Sequence, residues 1–265
     1  MLRRGLLCVA ASTALSVAVP AEQTASRTLA AVFAHPDDES AASPILARYA
    51  REGVKVHLLI VTDGAAGGQQ TTIPRGPELA KARAEEARCA ADVLGTQAPI
   101  LLGFPDRQLG NYAEDPTRLF RVTQRLHEEL QRIRPDALLT WGPDGGTGHP
   151  DHRLVSALVT QLVRTGAPGV PERLFYVSLP AELMRAANPG RGEPPLLIPQ
   201  ARHMTMRISF TAPDLEATRR SLACHKTQFP ADAVPRLADV AKQAWNGVVS
   251  LMPALGSGAG NDLFR

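Results

Sequence analysis

The sequence predicts an α/β fold in which a mostly parallel, doubly wound sheet is flanked by helices. Two observations lead there. Short apolar runs at 28–33, 54–61, 100–102, 137–141 and 174–177 alternate along the chain with longer segments of helical periodicity. Strands that alternate with helices pair in parallel, since each helix returns the chain to the edge where it started. In addition, 265 residues with 44% apolar and 21% charged content supply enough core for one large domain.

Residues 1–21 read as a secretory signal. Arg3 and Arg4 precede an apolar run that starts at Gly5, and Val19-Pro20-Ala21 offers small residues for cleavage. The run is rich in Ala and Ser and falls short of the ~20 strongly apolar residues of a membrane span. The expectation is an exported protein, periplasmic or extracellular, with an uncleaved membrane anchor as the alternative. No stable span is expected after cleavage. Without Arg3 and Arg4 the 29 basic residues become 27 against 26 acidic ones, so the basic pI indicates no polyanion partner. An aromatic share of 5% also argues against a nucleic-acid stacking surface. Residues 22–265 read as a single domain.

The strand at 28–33 leads through Ala34-His35-Pro36-Asp37-Asp38-Glu39 into a helix at 40–51. The run at 54–61 alternates and is rich in β-branched residues, as a strand should be. A Gly- and Pro-containing loop at 64–77 leaves the same sheet edge and is placed to close over a site there. The helix at 78–94 is built from Ala, Lys, Arg and Glu and stops at Gly95. The strand at 100–102 exits through Gly103-Phe104-Pro105-Asp106. The helix at 117–133 follows Pro116 and spaces Leu119, Val122, Leu126, Leu130 and Ile133 along one face. A strand at 137–141, a helix at 154–163 and a strand at 174–177 complete the alternation. Beyond them, 181–203 reads as an irregular insertion, 204–210 as an edge strand and 214–224 as a helix, while 246–265 carries little pattern. Cys89 and Cys224 lie among apolar neighbours and read as buried free thiols, although an oxidising compartment would permit a bridge.

Two of the strand-to-helix turns carry the same chemistry: the one at His35 and, after the strand at 137–141, Gly148-His149-Pro150-Asp151-His152. In strand order 3-2-1-4-5, strands one and four are neighbours, and both turns lie at the carboxyl edge where ligands bind. Neutral imidazoles and carboxylate oxygens converging there form a metal-dependent site. Plainer readings stand beside this one. Asp37, Asp38 or Asp151 can cap a helix, Arg83 can be a solvated side chain, and Asp106 can serve a turn. His225 reads equally as a group behind the site or as a structural histidine. His57, His127 and His203 have no constellation.

Together these motifs resemble the zinc-dependent deacetylases of the PIG-L/LmbE type. The resemblance extends to Thr62-Asp63-Gly64, to Arg83 and Glu86, to Gly103-Phe104-Pro105-Asp106 and to His225-Lys226-Thr227-Gln228, and covers about 28–230. It implies a Rossmann-like (LmbE-like) sheet and removal of an N-acyl group from an amino sugar of the N-acetylglucosamine type. It also implies one zinc per chain held by His35, Asp38 and His152, with Asp37 as general base. By the same resemblance His149 stabilises the oxyanion or protonates the amine, Asp151 orients His149, and Arg83 and Asp106 hold substrate. Ala65 departs from the family, which often has an acid there.

The roles are chemically coherent. Three protein ligands leave a fourth zinc position open, where a water's pKa falls and a carbonyl is polarised. An amide needs a base for the water and an acid for the departing nitrogen. Asp37 is adjacent to Asp38 without being a ligand. A charged His149, its pKa raised by Asp151, would stabilise the oxyanion. The expected function is an exported zinc-dependent N-deacetylase acting on an amino sugar or glycoconjugate. The alternatives are another metal-dependent hydrolase, such as a phosphoesterase, and a non-catalytic carbohydrate-binding protein on the same scaffold.

Overall fold

The computed structural model describes residues 26–68, 70–187, 199–256 and 258–265. The expected signal, 1–21, lies outside these residues. One seven-stranded sheet runs in the order β3-β2-β1-β4-β5-β7-β6. Its strands are β1 (Thr28–Phe33), β2 (Lys55–Thr62), β3 (Ile100–Phe104), β4 (Ala137–Trp141), β5 (Leu174–Val177), β6 (Met206–Ser209) and β7 (Val248–Pro253). The pairings within β3-β2-β1-β4-β5 are all parallel, and β7 pairs antiparallel with both β5 and β6. The sheet is thus mixed but mostly parallel, with the expected order in its first five strands.

Strand β1 shows why the sheet needs cover on both faces. Leu29, Ala31 and Phe33 join one hydrophobic cluster, and Ala30, Val32 and Ala34 join the other. A strand that is apolar at every position from Leu29 to Phe33 cannot face water on either side. The first cluster is closed by Ile45, Leu46 and Tyr49 of α1 (Ser43–Arg51) and by Trp245 of α7 (Ala233–Trp245). The second is closed by Leu126 and Leu130 of α3 (Arg118–Ile133) and by Val155 and Val159 of α4 (Pro150–Arg164).

The carboxyl-terminal third departs from expectation. The insertion at 181–203 opens with a helix, α5 (Ala181–Ala187), and ends in a short 3-10 turn, while its segment 188–198 lies outside the described residues. The weakly patterned stretch after 246 contains β7, which enters between β5 and β6. Asn246 and Gly247 both have positive φ, 44° and 79°, which ends α7 and turns the chain into β7.

Cys89 and Cys224 are bridged, not free. Cys89 lies on α2 (Pro77–Leu94) and Cys224 ends α6 (Ala212–Cys224). These two helices pack side by side, bringing the Cα atoms to 5.7 Å across 135 residues of chain. No sequence signal specified that packing. A bridge over so long a loop removes much unfolded-state entropy. Replacing both cysteines by Ser is expected to lower unfolding free energy by about 2–5 kcal/mol in denaturant titrations. Equal midpoints for the double variant and the parent would show that the bridge is absent in solution.

Candidate metal centre

The site assembles where β1 and β4 lie side by side. After β1 the chain turns into a 3-10 segment, Asp38–Ala41, whose first carboxylate is buried. Asp38 Oδ2 accepts three N–H groups, from Ala34 N at 3.0 Å, His35 N at 2.9 Å and Trp141 Nε1 at 3.0 Å. Its other oxygen, Oδ1, lies 3.1 Å from His152 Nε2, and that nitrogen lies 3.0 Å from His35 Nδ1. His152 Nδ1 is 2.8 Å from the Gly145 carbonyl, which places its proton there and leaves Nε2 as a lone pair. Trp141 also stacks on the His152 ring, with centroids 4.8 Å apart and planes within 4°.

Three donor atoms, one from each of three buried residues, thus face one another. Donors around a tetrahedral zinc bound at ~2.0–2.2 Å stand about 3.3–3.5 Å apart. The observed 3.0 and 3.1 Å need to open by only tenths of an ångström, so the donor set fits a divalent cation. Two further donor sets, one of three imidazoles and one of an imidazole with two carboxylates, share His35. Donor atoms of His35, His149 and His152 fall within 4.8 Å of one another, as do those of His35, Asp106 and Asp151. Burial opposes charge on both His35 and Asp38 but is outweighed by their partners. The His35 pKa is raised well above its usual range by Asp106, Asp151 and Asp38, and that of Asp38 is held well below by His152 and His35.

Asp37 has φ 110°, a conformation costly for a residue with a side chain. Its carboxylate meets Arg83 Nη2 at 3.0 Å, and its backbone N–H donates to Glu39 Oε2 at 3.1 Å. Burial pushes its pKa up to about 6, with Arg83 acting against the rise and Asp38 adding to it. Arg83 was expected to hold substrate. Instead its buried guanidinium donates to the carbonyls of Pro36 and Gly64 as well as to Asp37, which fixes the turn that carries the base candidate.

Asp106 likewise faces inward. Its Oδ2 accepts Ala66 N and Gly67 N, both at 3.0 Å, and its Oδ1 lies 3.0 Å from His35 Nε2 without the alignment of a hydrogen bond. Burial raises its pKa, but His35 and the Ala66 N–H outweigh it and hold the group at about 2. It ties the loop after β2 to His35, with Oδ2 committed to the loop and Oδ1 facing His35. Asp151 Oδ2 accepts Arg107 N at 2.7 Å and lies 3.5 Å from His35 Nε2.

The expected charge on His149 is not seen. His149 caps α4, its Nδ1 accepting the Asp151 backbone N–H at 3.2 Å. Burial lowers its pKa to about 4, helped by His35 and His152, and the opposing pull of Asp151 is smaller. The neutral ring carries its proton on Nε2, since Nδ1 is an acceptor.

Sequence reading missed Trp141 and Glu39. Trp141 is the last residue of β4 at the ligand edge, and that position was its signal. Glu39 was inside the quoted motif but had no assigned partner.

A family described as "PIG-L: GlcNAc-PI de-N-acetylase" matches residues 30–163. The chain belongs to the PIG-L family. Among its relatives, a 1D-myo-inositol 2-acetamido-2-deoxy-alpha-D-glucopyranoside deacetylase from Corynebacterium urealyticum is 31% identical, over 75% of this chain and 70% of its own. An enzyme of the same name from Nakamurella multipartita is 32% identical, over 76% and 79%. The PIG-L family is one of metal-dependent N-deacetylases, and this member is accordingly a hydrolase. Among solved structures, the N,N'-diacetylchitobiose deacetylase from Pyrococcus horikoshii superposes with TM-score 0.60 at 19% identity, covering 86% of this chain and 84% of that one. A 4-carboxy-2-hydroxymuconate hydratase from Pseudomonas putida superposes with TM-score 0.54 at 17% identity, covering 89% and 99%. These two likenesses show the LmbE-like fold alone.

The expectation of export, and with it that of a retained anchor, is corrected by these relatives. They are deacetylases named for an inositol glycoside, and the stretch that suggested a leader lies outside the described residues. Among the described residues no helix is long and apolar enough to cross a membrane.

Gly146 lies under the Trp141–His152 stack. It has φ 62°, and a Cβ there would sit 2.3 Å from Trp141 Cζ3. Gly166 has nearly the same φ, 63°, with nothing within 4 Å. Gly166→Ala is expected to cost the backbone penalty alone, about 1–2 kcal/mol. Gly146→Ala is expected to cost about 1–3 kcal/mol more, from overpacking against the indole. Equal melting losses for the two variants would refute the crowding at Trp141.

Proposed function

We propose that this PIG-L member is a zinc-dependent N-deacetylase that removes the acetyl group from a 2-acetamido-2-deoxyglucoside, with an inositol glycoside as its substrate class. The observation that carries the reading is the facing set of His35 Nδ1, Asp38 Oδ1 and His152 Nε2, with Asp37 beside it and uncommitted to it. The relatives' names supply the sugar. Those three residues would hold one zinc ion per chain. When bound, the ion supplies Lewis-acid polarisation of the amide carbonyl and a water of lowered pKa.

The remaining work falls to the protein. Asp37 is held by Arg83 and Glu39, and its carboxylate accepts the proton of the attacking water. The same proton is then available to the departing nitrogen, which leaves as the amine while the acyl group leaves as acetate. His149, neutral and protonated on Nε2, donates a hydrogen bond to the oxygen on which negative charge develops. Asp151 acts through its backbone N–H, which sets the His149 tautomer, and through its carboxylate, which fixes Arg107 beside His35. Arg83 and Asp106 act as positioning residues, on Asp37 and His35 respectively.

The test is acetate release from 1D-myo-inositol 2-acetamido-2-deoxy-alpha-D-glucopyranoside before and after chelation, with metal content measured in parallel. The expected outcome is about one zinc per chain, loss of activity on stripping and recovery on adding zinc. Full activity without metal would sink the reading, and two metals per chain would favour a phosphoesterase-type site. Asp37→Asn is expected to lower kcat by about 10²–10⁴ with zinc retained. His149→Ala is expected to lower it by about 10²–10³.

A further inference from the structure

Behind Asp37 lies a buried polar pair of which the mechanism above uses only the Glu39 contact to the Asp37 N–H. Glu39 is 1% exposed and His225 is fully buried, and they come from parts of the chain 186 residues apart. His225 Nε2 donates to Glu39 Oε1 at 2.5 Å. The other oxygen of the same carboxylate, Oε2, accepts the backbone N–H of Asp37 at 3.1 Å. Burying a carboxylate is expensive unless its oxygens are satisfied, so a sequence that keeps one here needs something from it.

The backbone of Asp37 supplies that need. At φ 110° this residue persists only if its surroundings over-determine it. Arg83 holds it from the side-chain end and through the Pro36 carbonyl, but Arg83 does not touch its N–H. Glu39 Oε2 is the hydrogen-bond acceptor that this N–H finds. His225 in turn fixes the Glu39 carboxylate and is itself anchored from three sides. It follows directly on Cys224 at the end of α6, bridged to Cys89 on α2. Thr227 donates its backbone N–H and its hydroxyl to the two oxygens of Glu86 on α2, at 2.8 and 2.7 Å. The backbone N–H groups of Gln228 and Phe229 both donate to the His225 carbonyl.

We infer that Glu39 and His225 are positioning residues for the deacetylation step. They form a relay from the α2–α6 pair to the Asp37 N–H and hold the base in its strained backbone conformation, without touching metal or substrate. This rests on the reading of Asp37 as the base. It predicts a defect in kcat and not in metal binding, since Asp38 is held by its own three donors and none of them is Glu39 or His225.

The experiment compares steady-state kinetics on the same inositol glycoside for Glu39→Ala/His225→Ala, Glu39→Gln and Asp37→Asn, together with the triple combination. The double variant removes both members and leaves no unpaired buried charge. It is expected to lower kcat by about 10- to 100-fold, the scale of a misplaced catalytic group. KM should stay within about twofold, with about one zinc per chain retained. Glu39→Gln keeps an acceptor oxygen for the Asp37 N–H and turns its amide N–H toward His225, whose Nε2 accepts it once the ring proton sits on Nδ1, and it is expected to restore kcat to within about threefold of the parent. On the Asp37→Asn background, adding the double variant should change the residual rate by less than about twofold, because groups that act as a unit are not additive. An unimpaired double variant, equal losses on both backgrounds, or loss of zinc would each overturn the inference while leaving Asp37 as the base. A fully active Asp37→Asn would instead remove the base assignment itself, and this inference with it.

Discussion

The site depends on one saturated oxygen. Asp38 Oδ2 takes three N–H donors, two from the turn that carries it and one from the Trp141 indole on the neighbouring strand. A carboxylate held by several N–H groups stays ionised and loses its freedom to rotate. Its second oxygen therefore has one direction to face, toward His152 Nε2. The same logic fixes His152, whose Nδ1 is committed to the Gly145 carbonyl and whose ring is stacked on Trp141. Trp141 thus serves both ligand candidates, one through its N–H and the other through its face.

Polar burial around Asp37 follows a different economy. The turn is strained at Asp37, and the groups that hold it are themselves buried and polar: Arg83 from α2, Glu39 from the 3-10 segment after β1, and His225 just past the end of α6. Such networks are stable only when nearly every member is paired. Most of the pairing here is found between segments far apart in sequence. The arrangement explains why Arg83 and Asp106, expected at the substrate, face the turns instead. Their polar atoms satisfy backbone groups that the strained loops leave open.

The sheet places these turns but does not decide their chemistry. β1 and β4 are neighbours at the switch point, so whatever their exit turns carry will meet. Similar folds serve both deacetylases and a hydratase. Function therefore resides in the side chains at the edge, not in the scaffold. In this chain those side chains are two imidazoles and a carboxylate facing one another, with the adjacent Asp37 carboxylate held by Arg83.

The first five strands, their order and the meeting of His35 with His152 were legible in the sequence. Alternating apolar runs and Pro-containing His/Asp turns are local patterns, and parallel topology leaves few ways to arrange them. The helix at 233–245 and β7 were not legible, because a six-residue strand with half-buried positions gives little periodicity. The Cys89–Cys224 bridge was not legible either, because it follows from how α2 packs on α6. The sequence by itself determined which residue types arrive at the carboxyl edge. Only the tertiary structure decided which of them face the ligand position, because Asp38, Arg83, Asp106 and Glu39 each take their orientation from hydrogen-bond partners that the chain brings near only once it is folded.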